Sequence, residues 1–215
     1  MIKAVIFDMD GVISNTLPIH SEAESRVLLE YGIKMSPKQM AEEFNGVPDK
    51  RMFEIIFSRF NKKLDYEQVA KRKWKLFQEL ARNNINPIAG ALELINSLLK
   101  KEFLLAVASS APIKIVDLVL NTLDLKEKIK CIVYTHEVEQ GKPSPDIFLL
   151  VANRLMVEPQ YCVVIEDALL GIQAAKAAGM KCISITTTHT RDELKEADKV
   201  IDSFDELTME EIKNL

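Results

Sequence analysis

The chain has 215 residues, 47% of them hydrophobic and 28% charged, with a net charge of −4. That is the composition of a soluble globular protein long enough for one large domain, or for a core with a smaller module. The small acidic balance gives no electrostatic case for nucleic acid or an anionic membrane as partner, no apolar run approaches the ~18 residues of a membrane span, and the N-terminal apolar run is short and broken by aspartates, so no secretory leader and a cytoplasmic location are expected. Cys131, Cys162 and Cys182 are odd in number, lack a Cys-x-x-Cys pair and each sit in an apolar, β-like run, which predicts buried reduced thiols. His20, His136 and His189 do not have zinc-ligand spacing, and the basic run around Lys71, Arg72, Lys73 and Lys75 reads as a solvated helix face.

In chain order the first predicted element is a strand over Lys3–Phe7. Residues 15–85 then read as helix after helix (18–31, 36–44, 48–60, 65–82) without a convincing strand, and NNINPIAGA, with Pro87, reads as the return crossing. From there helices over 90–101, 112–123, 144–156 and 168–178 alternate with strands over Phe103–Ser109, Cys131–Tyr134, Tyr161–Ile165, Lys181–Ile185 and Lys199–Ile201. Pro112 and Pro145 suit a first helical turn, Ser144 an N-cap and Gly179 a C-terminal stop. The strands are nearly continuous Val/Ile/Leu runs, as expected for strands covered on both faces. The fold class predicted is therefore α/β: a doubly wound, parallel-sheet, Rossmann-like core (1–14 and 86–215) with an inserted α-helical domain (15–85).

The stretch VIFDMDGV runs an apolar strand into Asp8 and Asp10, and residues two apart on a strand share a side. Two like charges so placed call for a metal ion or a shared proton. In an open parallel sheet ligands bind beyond the carboxyl ends of the strands. The residues expected there are Asp8, Asp10 and Gly11 after the first strand, Ser109 and Ser110 after the second, Lys142 of GKPSPD after the third, and Glu166 and Asp167 after the fourth. Several carboxylates suit a hard, octahedral Mg²⁺. A carboxylate also serves as a nucleophile toward phosphorus, and a serine and a lysine suit the oxygens of a transferring phosphoryl group.

D-x-D-G-V at the first strand end, a serine at the second, G-K-P-x-P-D-I-F, and I-E-D-A-x-x-G-I-x-A-A-x-A-A-G-M together resemble the four motifs of the haloacid dehalogenase superfamily, over the whole chain. The helical insertion resembles the small α-helical cap of one of its subgroups. The resemblance implies Asp8 as nucleophile and Asp10 as general acid/base. It further implies Ser109, with Ser110 beside it, and Lys142 on the phosphoryl group. Mg²⁺ would be held by Asp8, Asp167 and the carbonyl of Asp10, with Glu166 in or just behind the ligand sphere. Asp10 separates the chain from the dehalogenases of the superfamily, which resemble this pattern without a second aspartate. A non-catalytic relative would be expected to have lost Asp8 or Asp10.

Within the superfamily the chain looks most similar to β-phosphoglucomutases and sugar-phosphate phosphatases. FNGVPDKR resembles the mutases' specificity loop, in which a lysine and an arginine flank Gly-Val-x. Asn45, before Gly46, takes the place of that lysine and Asp49 that of the arginine, which is expected to repel a second phosphate unless Lys50 or Arg51 substitutes. The resemblance places Lys73 of AKRK as a phosphate contact. His20 reads either as a substrate neighbour near the hinge or as a helix-surface histidine, and Thr16 either as a ligand contact or as the cap of the first inserted helix. Trp74 reads as core, Gly171 as a packing glycine, Lys176 as solvated, and TTTHTRDEL as a loop and helix start with His189 exposed. The expected function is a Mg²⁺-dependent phosphatase acting on small phosphorylated metabolites as a monomer, with a phosphohexomutase as the alternative.

Overall fold

The computed structural model describes residues 1–215, which divide into two compact units, Met1–Asn15 with Asn86–Leu215, and Thr16–Ile85. After β1 (Ala4–Phe7) come four helices, α1 (Leu17–Glu30), α2 (Pro37–Phe44), α3 (Asp49–Arg59) and α4 (Tyr66–Ala81). Then α5 (Ala91–Lys100), β2 (Leu104–Ser109), α6 (Ile113–Thr122), β3 (Cys131–Tyr134), α7 (Asp146–Leu155), β4 (Cys162–Glu166), α8 (Leu169–Ala177) and β5 (Lys181–Ile185) alternate, and β6 (Lys199–Ile201) and α9 (Met209–Asn214) close the chain. The six strands are all parallel, in the order β3-β2-β1-β4-β5-β6. The order reverses between β1 and β4, the switch point at which such sheets open a crevice.

Side-chain alternation sends Ala4, Ile6, Ala106, Ala108, Cys162, Val164 and Cys182 into one core with Phe148 and Val151 of α7 and Ile172 and Ala175 of α8. Val5, Phe7, Leu105, Val107, Val163 and Ile165 are equally buried and face the other way, toward the apolar stripes of α5 and α6. Burial on both faces is why these strands read as unbroken apolar runs. Gly179 stops α8 at φ +72°, with its N–H on the Lys176 carbonyl and that of Met180 on the Ala175 carbonyl. The outgoing and returning chains run side by side: Asn15 N–H donates to the Asn86 carbonyl and Ile88 N–H to the Ile13 carbonyl, with Ser14 bridged to Pro87.

The helical unit buries Val27 and Leu28 of α1, Met40 of α2, Phe53 and Ile56 of α3, and Val69 and Phe77 of α4. Each large side chain contributes about 2–3 kcal/mol relative to exposure. A Ser36–Gln39 capping box starts α2, and the Asp65 carboxylate caps α4.

Several local expectations are corrected. Ser144 is not the cap of α7: Pro145 holds that position, and the Ser144 hydroxyl donates to the Asp146 carboxylate. Pro112 stands one residue outside α6. The basic run of α4 is not a solvated face, because helical periodicity divides it. Lys71 and Lys75 are exposed, Arg72 pairs bidentately with Glu30, and Lys73 is fully buried. Lys176 is exposed as expected, though ion-paired with Asp198, whereas Cys131 and His189 are half-buried and no helix forms over TTTHTRDEL.

Candidate active site

β1 stops at Phe7, so Asp8 and Asp10 stand in the loop beyond it rather than on the strand. Asp8 is held by its N–H on the Ile165 carbonyl of β4. The loop then turns tightly, with the Ser14 N–H and hydroxyl both donating to the Met9 carbonyl and Gly11 N–H to the Ser14 carbonyl. Gly11 has φ +79°, and a Cβ there would lie 2.0 Å from Asp167 Oδ2. This position requires glycine for two reasons, the backbone and the carboxylate seated over it.

Lys142, from the loop after β3, reaches back across the strand ends. Its Nζ donates to Asp8 Oδ1 at 2.5 Å and Glu166 Oε1 at 2.6 Å, with the Ala108 carbonyl at 3.4 Å, so three protons have three acceptors. The other oxygen of Glu166 accepts from the N–H groups of Asp167 and Ala168 at 2.9 and 3.0 Å, where the chain turns into α8. Gly171 packs there as expected, but against the Glu166 carboxylate: a Cβ would lie 1.8 Å from Oε1. Ser109 is buried at the end of β2, its hydroxyl accepting from Ala111 N–H at 3.1 Å and keeping its proton to donate, while Ser110 is exposed.

The Lys142 ammonium is thus shared by Asp8 and Glu166, with the carboxyl of Asp167 close enough to feel all three. Burial, with Glu166 and Asp10 as like charges, pushes Asp8 up to about 7 against the pull of Lys142. Burial likewise holds Asp167 well above the usual carboxylate range, reinforced by Glu166 and Asp8 and opposed by Thr188 and Lys142. For Lys142 burial works the other way, but the two carboxylates outweigh it and its pKa is raised. No three acidic, histidine or cysteine side chains are gathered in metal-holding geometry; Asp8 and Glu166 are turned onto Lys142.

Two hydroxyls from the turn after β5 were not foreseen. Thr188 donates to Asp167 Oδ2, and Thr187 to the Gly11 carbonyl at 2.6 Å. The sequence marks this stretch only as a loop and helix start, with no role at the site assigned to it. The clue lay in the topology, since β5 pairs with β4 and so carries its following loop beside Asp167.

The candidates in the helical unit form a different cluster. Lys73 Nζ contacts Asp49 at 2.9 and 3.0 Å, Glu24 at 3.4 Å and His20 Nδ1 at 3.1 Å, and lies 3.8 Å from the Trp74 ring centre. Asp49 therefore does not stand as a bare charge, contrary to expectation; it neutralises Lys73. Because an ammonium only donates, His20 accepts at Nδ1 and carries its proton on Nε2. His20 is half-buried against Trp74 and Phe77 rather than on the helix surface. Thr16 is buried and begins α1 through its carbonyl, without a side-chain cap. Asn45 is half-buried, and Gly46 and Arg51 are exposed.

Several similar proteins are named as phosphatases of phosphorylated compounds. A phosphorylated carbohydrates phosphatase of Thermotoga maritima is 38% identical over 185 residues, 84% of this chain and 83% of its own. The fructose-1-phosphate phosphatase YqaB of Escherichia coli is 34% identical over 181 residues, 84% of this chain and 95% of its own. Among solved structures, the β-phosphoglucomutase of Clostridium difficile superposes with a TM-score of 0.84 at 30% identity, covering 100% of this chain and 96% of that one. Residues 5–185 match the haloacid dehalogenase-like hydrolase family. That match runs from within β1 to the last residue of β5 and takes in every strand end that contributes to the site, so the chain belongs to the haloacid dehalogenase-like hydrolase family.

Proposed function

We propose that the protein is a Mg²⁺-dependent phosphatase of small phosphorylated metabolites, sugar phosphates above all, working through an aspartyl-phosphate on Asp8. The observation that carries this reading is Asp8 at the end of the central strand, hydrogen-bonded to Lys142 at 2.5 Å, with a second carboxyl at Asp10. The names of the similar phosphatases support the substrate class.

The donor set fits a hard cation. It is all oxygen, with the carboxylates of Asp8 and Asp167 and a backbone carbonyl among its donors, as a hard cation prefers. Asp8, Asp167 and the Asp10 carbonyl would hold Mg²⁺. When bound, the ion offsets the repulsion between Asp8 and the incoming phosphate and polarises the phosphoryl group. Glu166, whose oxygens are occupied by Lys142 and two backbone N–H groups, positions Lys142 rather than the metal.

The carboxylate of Asp8 attacks phosphorus; the bond to the ester oxygen breaks, and Asp10 gives its proton to the leaving oxygen. Water then attacks the aspartyl-phosphate, Asp10 takes its proton, and the bond between phosphorus and the Asp8 oxygen breaks. Ser109 and Lys142 donate to the phosphoryl oxygens throughout. Asn45, Gly46, Arg51, Thr16 and His20 are the candidates for contacting the organic part.

The alternative, a phosphohexomutase, rests on the full-length likeness to β-phosphoglucomutase. Lys73 weighs against it: as a grip for a second phosphate it would first have to leave Asp49 and Glu24. The deciding assay contains Mg²⁺, β-glucose 1-phosphate and a trace of the 1,6-bisphosphate, with free phosphate and glucose 6-phosphate followed together, and fructose 1-phosphate in a parallel panel. Phosphate release without isomerisation is expected. Glucose 6-phosphate forming faster than phosphate would make the protein a mutase.

A further inference from the structure

The turn after β5 belongs to no motif that the sequence reading used, yet it places two hydroxyls against the acid site. Thr187 donates its single proton to the Gly11 carbonyl at 2.6 Å; Asp167 Oδ2, at 3.4 Å from the same hydroxyl, is the weaker alternative. That leaves Thr188 as the donor to Asp167 Oδ2. The same oxygen lies over the bare Cα of Gly11, and the Thr188 hydroxyl would itself be 3.3 Å from a Cβ at that glycine. One oxygen of a buried carboxylate is therefore fixed on two sides, by the missing side chain of Gly11 and by the hydroxyl of Thr188.

We infer that Thr188 is a positioning residue for metal binding: it locks Asp167 through Oδ2 so that Oδ1 is the oxygen presented to the cation. The inference rests on the proposal that Asp167 is a Mg²⁺ ligand. A carboxylate that rotates freely loses orientational entropy on binding a cation; one already held by a hydroxyl does not. Ser184, on β5 itself, donates to the backbone carbonyl of Glu166 at 3.0 Å, so the strand holds the main chain of the Glu166–Asp167 pair while its following turn holds the Asp167 carboxylate.

The test is a titration of the whole protein with MgCl₂ in phosphate-free buffer, read by calorimetry and by the rise in Tm, on the wild type and on T188V, T188S and D167N. The wild type is expected to gain stability with Mg²⁺ and D167N to lose that gain. T188V, which keeps the shape and removes the donor, is expected to need about tenfold more Mg²⁺ for half-saturation. T188S, which keeps the hydroxyl, is expected to titrate within about twofold of the wild type, since the donated hydrogen bond survives. Should T188V not fold, T188S compared with T188A supplies the same contrast of hydroxyl against none. A wild type that responds to Mg²⁺ and a T188V that titrates with it would overturn this inference alone. A wild type that does not bind Mg²⁺ would overturn the metal reading and the role of Thr188 with it.

Discussion

Each unit of the protein contains a buried lysine between two carboxylates, and the two arrangements serve opposite ends. In the helical unit Lys73 is fully buried between Asp49 and Glu24, roofed by Trp74 and hydrogen-bonded to His20. In the sheet unit Lys142 lies between Asp8 and Glu166, and the buried carboxyl of Asp167 adds a further acid beside them. A lysine that meets its partners and is walled in by aromatic rings acts as a strut. A lysine outnumbered by acids at the open ends of parallel strands leaves a site that still wants positive charge. Burial raises the cost of ionisation in both places; the number of acids decides which of them stays reactive.

The largest way to break the comparison is D8N. It removes the nucleophile, and turnover should fall by ~10⁴-fold or more in a phosphate-release assay, with circular dichroism unchanged. An active D8N protein would eliminate the covalent mechanism. Next in size is K73M, which strands Asp49 and Glu24 without their cation and should cost about 3 kcal/mol. In a chain of this length that is a drop of about 6–12 °C in Tm. An unchanged Tm would mean that solvent already satisfies the two acids and that Lys73 is no strut. The Tm gain from Mg²⁺ should survive in K73M, because Asp8 and Asp167 belong to the sheet unit and keep their own contacts. At saturating Mg²⁺, 100-fold above its dissociation constant, that gain corresponds to about 2.7 kcal/mol.

The smallest effect concerns an exposed acid, which shows what burial adds. Glu211 accepts from Lys199 at 2.6 Å and from the N–H and hydroxyl of Thr208, and these hold its pKa down to about 2. A depressed carboxyl stabilises the fold above its ordinary value of 4.5 and loses that contribution as pH falls toward 2. Urea midpoints of wild type and E211Q should therefore differ at pH 6, draw closer at pH 3 and converge only near pH 2. A gap as wide at pH 2 as at pH 6 would assign the effect to the cap's geometry instead of its charge.

Much of the fold was legible because two periodicities carry it. Three strands, Cys131–Tyr134, Lys181–Ile185 and Lys199–Ile201, have the predicted bounds, and the rest shift by one residue, as do most helices. The six-residue α9 escaped notice, being too short for its periodicity to stand out. At Ser144–Pro145 the sequence reads as a serine cap followed by a proline in the first turn, but the helix starts one residue later, with the Ser144 hydroxyl turned to the Asp146 carboxylate. Lys73 shows the same limit: in KRKWK every cation reads alike, and only the turn of α4 sends that one inward.

By itself, then, the sequence determined the parallel sheet, the helical insertion and the acids, serine and lysine at the strand ends, because strand ends and turn chemistry are local properties. Tertiary structure decided what those residues face. It set Asp167 over Gly11, Glu166 over Gly171, Thr188 on Asp167 and Asp49 on Lys73. Each of these contacts joins residues at least 20 apart in the chain, or depends on a single missing Cβ. Neither separation in space nor the absence of an atom leaves a periodic trace in the order of amino acids.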